Sequence, residues 1–214
     1  MTRVDYIRVE GCEWMEDAER RYQYALELRE PLLLMIPRII NQILEDIPKG
    51  FYLPPDSIYR KDEPIIPERV IPEAVVNALM HRNYRIKGTM QVIRFSNRLE
   101  IHNPGYSLIS EERLGEPGAA RTRNPKIANV LHDLKLAETK GTGIGTMLKL
   151  MDKANLTAPV FDSDRQKDAF SVTLHTIHFF EKEDWEWLEN FKDCHLSNED
   201  ARALVYVRKV GFVS

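Results

Sequence analysis

Two side chains four residues apart offer the first chemistry. In Glu73-Ala-Val-Val-Asn77 both groups fall on one face of a helix, beside the apolar stripe of Ala74, Val75, Ala78 and Leu79. A carboxylate there can take a proton from water, and an amide oxygen can ligate Mg²⁺, a hard cation that prefers oxygen donors. The same pair also reads as a solvated pair on an exposed face. A second segment, Arg98-Leu-Glu-Ile-His-Asn103-Pro104-Gly105, ends a strand on an amide that can hold a base edge. Gly105 lets the backbone approach closely, although Asn103-Pro104 also fits an Asx-type turn. The third, Gly141-Thr142-Gly143-Ile144-Gly145, opens a helix. Free N–H groups at such an end attract phosphate oxygens, and a tight turn alone would use the same glycines.

The elements that must position these groups follow from periodicity. Tyr6–Val9 is a short strand, and residues 14–30 are rich in charge and helix formers. Ile36, Ile39, Ile40, Ile43, Leu44 and Ile47 keep helical spacing up to the stop signal Pro48-Lys49-Gly50. Phe51–Pro72 holds five prolines and reads as an extended connector. A helix opens near Pro72. Ile93, Phe95, Leu99 and Ile101 predict a hairpin; one shared apolar face would pair Phe95 with Leu99 across a three-residue connection, Ser96-Asn97-Arg98. Ile127, Val130, Leu131 and Leu134 mark a third helix, and Ile144, Met147, Leu148 and Met151 a fourth. Phe161 and Phe170–His175 suggest a closing hairpin. This order predicts an α+β fold, a two-layer sandwich with helices on one face of a mixed sheet.

Composition limits the function. The 214 residues are 43% hydrophobic with net charge −3, so the totals support no general attraction to nucleic acid. No apolar run nears the roughly 20 residues of a membrane span, and no signal-peptide core opens the chain. No membrane association and a cytoplasmic location are the expectation. Cys12 and Cys194 are expected to be free thiols. From Glu181 to Asp200 the chain holds eight acidic side chains against two basic ones. Ser197 with Asp200 fits a capping box for a short C-terminal helical segment.

Taken in order, the three segments resemble the GHKL superfamily of histidine kinases, gyrase and MutL, which have an ATP site without a P-loop. More closely the chain resembles the RecG-like ATP-dependent helicase C-terminal family. The residues that carry this are Pro72-Glu73-Ala-Val-Val-Asn77-Ala-Leu-Met-His81-Arg82-Asn83-Tyr84, Arg98-Leu-Glu100-Ile-His-Asn103-Pro104-Gly105, Arg123-Asn124-Pro125 and Gly141-Thr142-Gly143-Ile144-Gly145. Asn83 stands where that family has Asp, and Pro72 where it has Arg.

The resemblance implies a Bergerat-like sandwich that takes ATP and Mg²⁺. Asn77 would ligate the metal and Glu73 would orient or deprotonate the attacking water. His81, Asn103, Gly105, Arg121, Arg123, Gly141, Thr142, Gly143 and Gly145 would contact the nucleotide, with the basic Gly118–Lys126 stretch as a lid or as a plain solvated loop. Asn103 takes the place of the superfamily's adenine-binding Asp. It further implies a transcriptional regulator with a Schlafen/AlbA-type unit in front and a winged helix behind. The expected division is a helical or extended segment over 1–70 packing on the core, a nucleotide-binding core over 71–178 and the start of a winged helix over 179–214. DNA would then be reached only through regions missing from this fragment. A helicase motor needs Gly-x-x-x-x-Gly-Lys-[Ser/Thr], a run absent from the sequence, so strand translocation is not expected. Two other readings stay open: a degenerate scaffold or homodimerisation module that binds no nucleotide, and a DNA-binding protein that uses the Arg121–Lys126 loop.

Overall fold

In a computed structural model of the chain, the structure describes residues 2–14, 22–52, 61–116, 118–119, 121–137, 141–176, 182–194 and 198–210. Strands β1 (Val4–Arg8), β2 (Tyr24–Leu28), β5 (Met90–Arg94), β6 (Arg98–Pro104), β7 (Val160–Asp164) and β8 (Ala169–His175) form one sheet in the order β2-β1-β5-β6-β8-β7. The β1–β5 pairing is parallel and the others antiparallel, so the sheet is mixed. Helices α1 (Leu32–Asp46), α2 (Val70–His81), α3 (Pro125–Asp133) and α4 (Gly143–Lys153) contribute to one hydrophobic core with this sheet. That is the expected α+β two-layer sandwich. A small hairpin, β3 (Lys49–Tyr52) with β4 (Lys61–Pro64), stands apart.

Alternation along the strands decides which face holds the core. Val4 and Tyr6 of β1, Met90 and Val92 of β5, Leu99 and Ile101 of β6, and Val172 and Leu174 of β8 all turn to the helices. The Tyr6 hydroxyl donates to Asp46, whose other oxygen takes Arg8 Nη1 at 2.6 Å, tying the end of α1 to the first strand.

Four sequence expectations change. Arg94, not Phe95, faces Leu99, and the Phe95 amide donates to the Arg98 carbonyl at 2.9 Å, so the turn closes over Ser96-Asn97. Ile93 and Phe95 therefore point away from Leu99 and Ile101, into a cluster with Val9. A strand buried on both sides shows no alternation from which register can be taken. Residues 24–28, expected among helix formers, pair with β1, since sheet pairing overrides helix propensity at an edge. Two strands, β3 and β4, lie within the stretch expected as plain connector. In α3 the buried line is Ala128 and Leu131, while Val130 and Leu134 are exposed.

At the C-terminal end α5 (Lys182–Leu188) and α6 (Asn198–Val210) meet through Leu188 and Val205, a cluster of their own. Ser197, half of the expected capping box, lies outside the described residues. Cys12 and Cys194 are free and exposed. Among the described residues, no helix is long and apolar enough to cross a membrane.

Candidate functional site

Helix α2 is buried on most of its circumference: Val70, Ile71, Ala74, Val75, Val76, Ala78, Leu79 and Met80 are all enclosed. Glu73, Asn77 and His81 recur every four residues, which places them in one line on that helix. All three open onto a cavity of about 280 Å³. Its apolar walls include Ala74, Ala78, Ile101, Met147, Phe161 and Val172. A polar line on an otherwise buried helix is a costly arrangement unless something polar meets it.

Asn77 Nδ2 donates to Glu73 Oε1 at 2.7 Å, which leaves the Asn77 amide oxygen facing elsewhere. The carboxylate in turn lies over the first residue of α4. A Cβ built on Gly143 would fall 1.5 Å from Glu73 Oε1, so no larger residue fits there without moving the acid. The acid and amide of α2 and the triple-glycine turn thus share one cavity, with Gly141 at φ +64° shaping the approach.

Asn103 closes another wall and is 4% exposed. Its Nδ2 donates to the Ala78 carbonyl at 2.8 Å. Because a carbonyl only accepts, this bond fixes which way the amide points. Oδ1 is left buried with no partner among the described residues. An orphaned acceptor in a cavity wall is matched by an N–H donor from a ligand.

His81 is held below its usual range, first by burial and then by the positive charge of Arg123. Arg123 Nη2 donates to the Tyr106 carbonyl at 2.7 Å, with its guanidinium 5.1 Å from the Tyr106 ring centre. Arg121, also on the wall, is exposed. Gly105, at φ +111°, passes so close to Asn83 that a Cβ would lie 2.8 Å from Asn83 Cβ. Thr142 and Gly145 are not part of the cavity wall. Thr142 holds the N-cap position of α4 and is exposed, and Gly145 makes room for the Gly115 carbonyl.

Two motif residues turn out to brace the site. Asn124 Nδ2 donates to the carbonyls of Met80 and Arg82, at 2.9 and 2.7 Å, binding the end of α2 while Pro125 starts α3. Asn83 Nδ2 donates to Asp168 at 3.2 Å, a bond that an aspartate at this position could not make. Sequence reasoning missed Asn129 and His132 on the wall. Their i, i+3 spacing on α3 was the available signal, masked by a wrong apolar face.

No group of three or more His, Cys, Asp or Glu gathers to hold a metal among the described residues. The Mg²⁺ ligands on offer are the oxygens of Asn77 and Glu73, the hard donors such an ion takes. With hard oxygen donors on α2, the glycine turn beside them and an orphaned buried acceptor, the residues present suit a nucleotide with its cation.

Residues 88–174 match the family model described as "Putative ATP-dependent DNA helicase recG C-terminal". That span, less than half of the chain, is similar to this ATPase-like family. It begins after α2, so Glu73 and Asn77 lie outside it. A solved structure, the DIP2311 protein from Corynebacterium diphtheriae, matches with a TM-score of 0.69 at 16% identity. The match covers 96% of this chain and 40% of that one, and at such identity it speaks for the fold alone. No curated protein matches.

Proposed function

We propose that this chain binds ATP with Mg²⁺ in the cavity beside α2 and hydrolyses it slowly, as the nucleotide-sensing part of a cytoplasmic transcriptional regulator. The observation that carries this is the Glu73 carboxylate resting on Gly143, which brings the acid–amide pair and the glycine turn to one cavity. Asn103 Oδ1 suits the exocyclic amino group of adenine, whereas guanine would present an acceptor at that edge. Asn77 would hold Mg²⁺, which supplies charge neutralisation to the phosphates. Glu73 would orient water and take its proton. The exposed Arg121, on the cavity wall, would meet phosphate charge. In this reading 71–178 is the nucleotide core, 1–70 the segment packed against it, and the acidic 179–214 part of a winged-helix unit through which DNA would be engaged.

Calorimetric titration of ATP, with and without Mg²⁺, against wild type and Asn77→Ala tests the proposal. Binding that needs both Mg²⁺ and Asn77, and that GTP does not compete for, supports it. Failure of wild type to bind ATP under any condition favours the scaffold reading instead.

A further inference from the structure

A second cavity, about 610 Å³, shares no lining residue with the first. Four cationic side chains face it, Arg3, Arg29, Arg82 and Lys87, with Thr2 and Thr89 beside them and no carboxylate on its wall. Arg3 is partly neutralised by Asp5 and Glu27, and Arg29 pairs with Glu27. Arg82 and Lys87 pair with no carboxylate among the described residues.

Arg82 is the unusual member. It directly follows His81 in the His81-Arg82-Asn83-Tyr84 run, yet it is only 4% exposed. Nη2 donates to the Gly88 carbonyl, and the guanidinium lies 5.6 Å from the Tyr84 ring centre. Nε and Nη1 are buried with no partner. Arginine does not escape such a position by losing its proton. Burying an unpaired charge with unmet donors is costly, and natural folds meet that cost with a counter-charge. None of the described residues supplies one.

We propose that this cavity is an oxyanion site for a phosphate group, separate from the nucleotide cavity. The cations come from three places, the residues that flank the edge strand β2 and its neighbour β1, the end of α2 and the turn before β5. Donors that converge from several directions suit a tetrahedral, multiply charged anion better than a flat monocarboxylate. The phosphate is either a free ion or one carried on a nucleic-acid backbone, and both present the same oxygens.

The test is amide NMR on the full 214-residue chain, titrated with inorganic phosphate and, separately, with a short single-stranded oligonucleotide. Saturable movement of the Gly88 and Thr89 amides, weakening as salt is raised, is expected. Arg29→Ala with Lys87→Ala, both at exposed positions, should weaken that response about fivefold or more without unfolding the protein. Arg82→Lys should weaken it further, since a single ammonium cannot replace the guanidinium fork. Stronger binding of the oligonucleotide at the same amides assigns the phosphate to nucleic acid, and stronger binding of inorganic phosphate assigns it to the free ion. The proposal is overturned if phosphate moves only the Gly141–Gly145 amides, moves none, or moves Gly88 and Thr89 equally in the double variant. Loss of ATP binding in the first cavity would leave this test unaffected.

Discussion

Replacing Gly143 by alanine should separate folding from ligand binding. The new Cβ would sit 1.5 Å from Glu73 Oε1 and 2.4 Å from its Cδ, so the carboxylate must retreat about 2 Å to reach the 3.4 Å of ordinary contact. It is the far end of a flexible side chain, and it can move. The move costs the Asn77–Glu73 hydrogen bond, about 0.5–1.5 kcal/mol. Gly143 does not have a positive φ, so alanine fits its backbone and returns up to about 1 kcal/mol of helix propensity. These effects offset, and Gly143→Ala should melt within about 4 °C of wild type. The site does not recover in the same way. An acid displaced by about 2 Å from its working position should lower any turnover about a hundredfold, and Mg²⁺–ATP affinity about tenfold. Thermal melts, ATP titration and phosphate release on the same sample measure all three. A folded Gly143→Ala protein that binds and hydrolyses ATP like wild type would falsify the shared-cavity argument. A protein that no longer folds would show that the acid is not free to move.

Three further substitutions probe the walls. Asn103→Asp sets a carboxylate against the Ala78 carbonyl, two acceptors face to face in a buried place, and should lose about 3 kcal/mol at neutral pH in urea unfolding. The loss should shrink on acidification, as a protonated Asp can donate to that carbonyl. Gly105→Ala forces a Cβ to 2.9 Å from the Asn83 backbone nitrogen at φ +111°, and should cost on the order of 1–3 kcal/mol, read by the same unfolding. For His81, burial and Arg123 lower the folded-state pKa below the unfolded value near 6.5. The unfolded chain then takes up the proton first, so stability is flat above about pH 7 and falls as pH drops below 6.5 towards the folded pKa. His81→Asn should remove that part of the slope; an unchanged slope would mean that His175, shifted the same way by burial, accounts for all of it.

How far the sequence could be read depended on whether local pattern and local role coincide. Glu73 and Asn77 were legible because helical spacing alone puts them on one line, and the fold then enclosed the rest of α2. The β5–β6 register was not legible, because Ile93 and Phe95 serve a second cluster on the far face and their hydrophobicity carries no direction. The α3 face failed for the converse reason: exposed Val130 and Leu134 imitate a core stripe, while small Ala128 holds the buried position. The motif glycines divide in a way that no spacing rule shows. Gly143 yields to a side chain and Gly105 to a backbone, whereas Gly145 clears a passing loop. Asn124 and Asn103 carry the same amide, but one spends both donor hydrogens on the end of α2, and the other keeps a buried acceptor without a partner on a residue of the cavity wall. Residue type therefore limits what each position can do, and only the partners across the fold decide which of those options is used. Among the described positions with an orphaned buried atom, Asn103 and Arg123 line the first cavity and Arg82 the second, while Arg8 and Arg94 line neither; an orphaned atom together with a cavity marks where a ligand is expected.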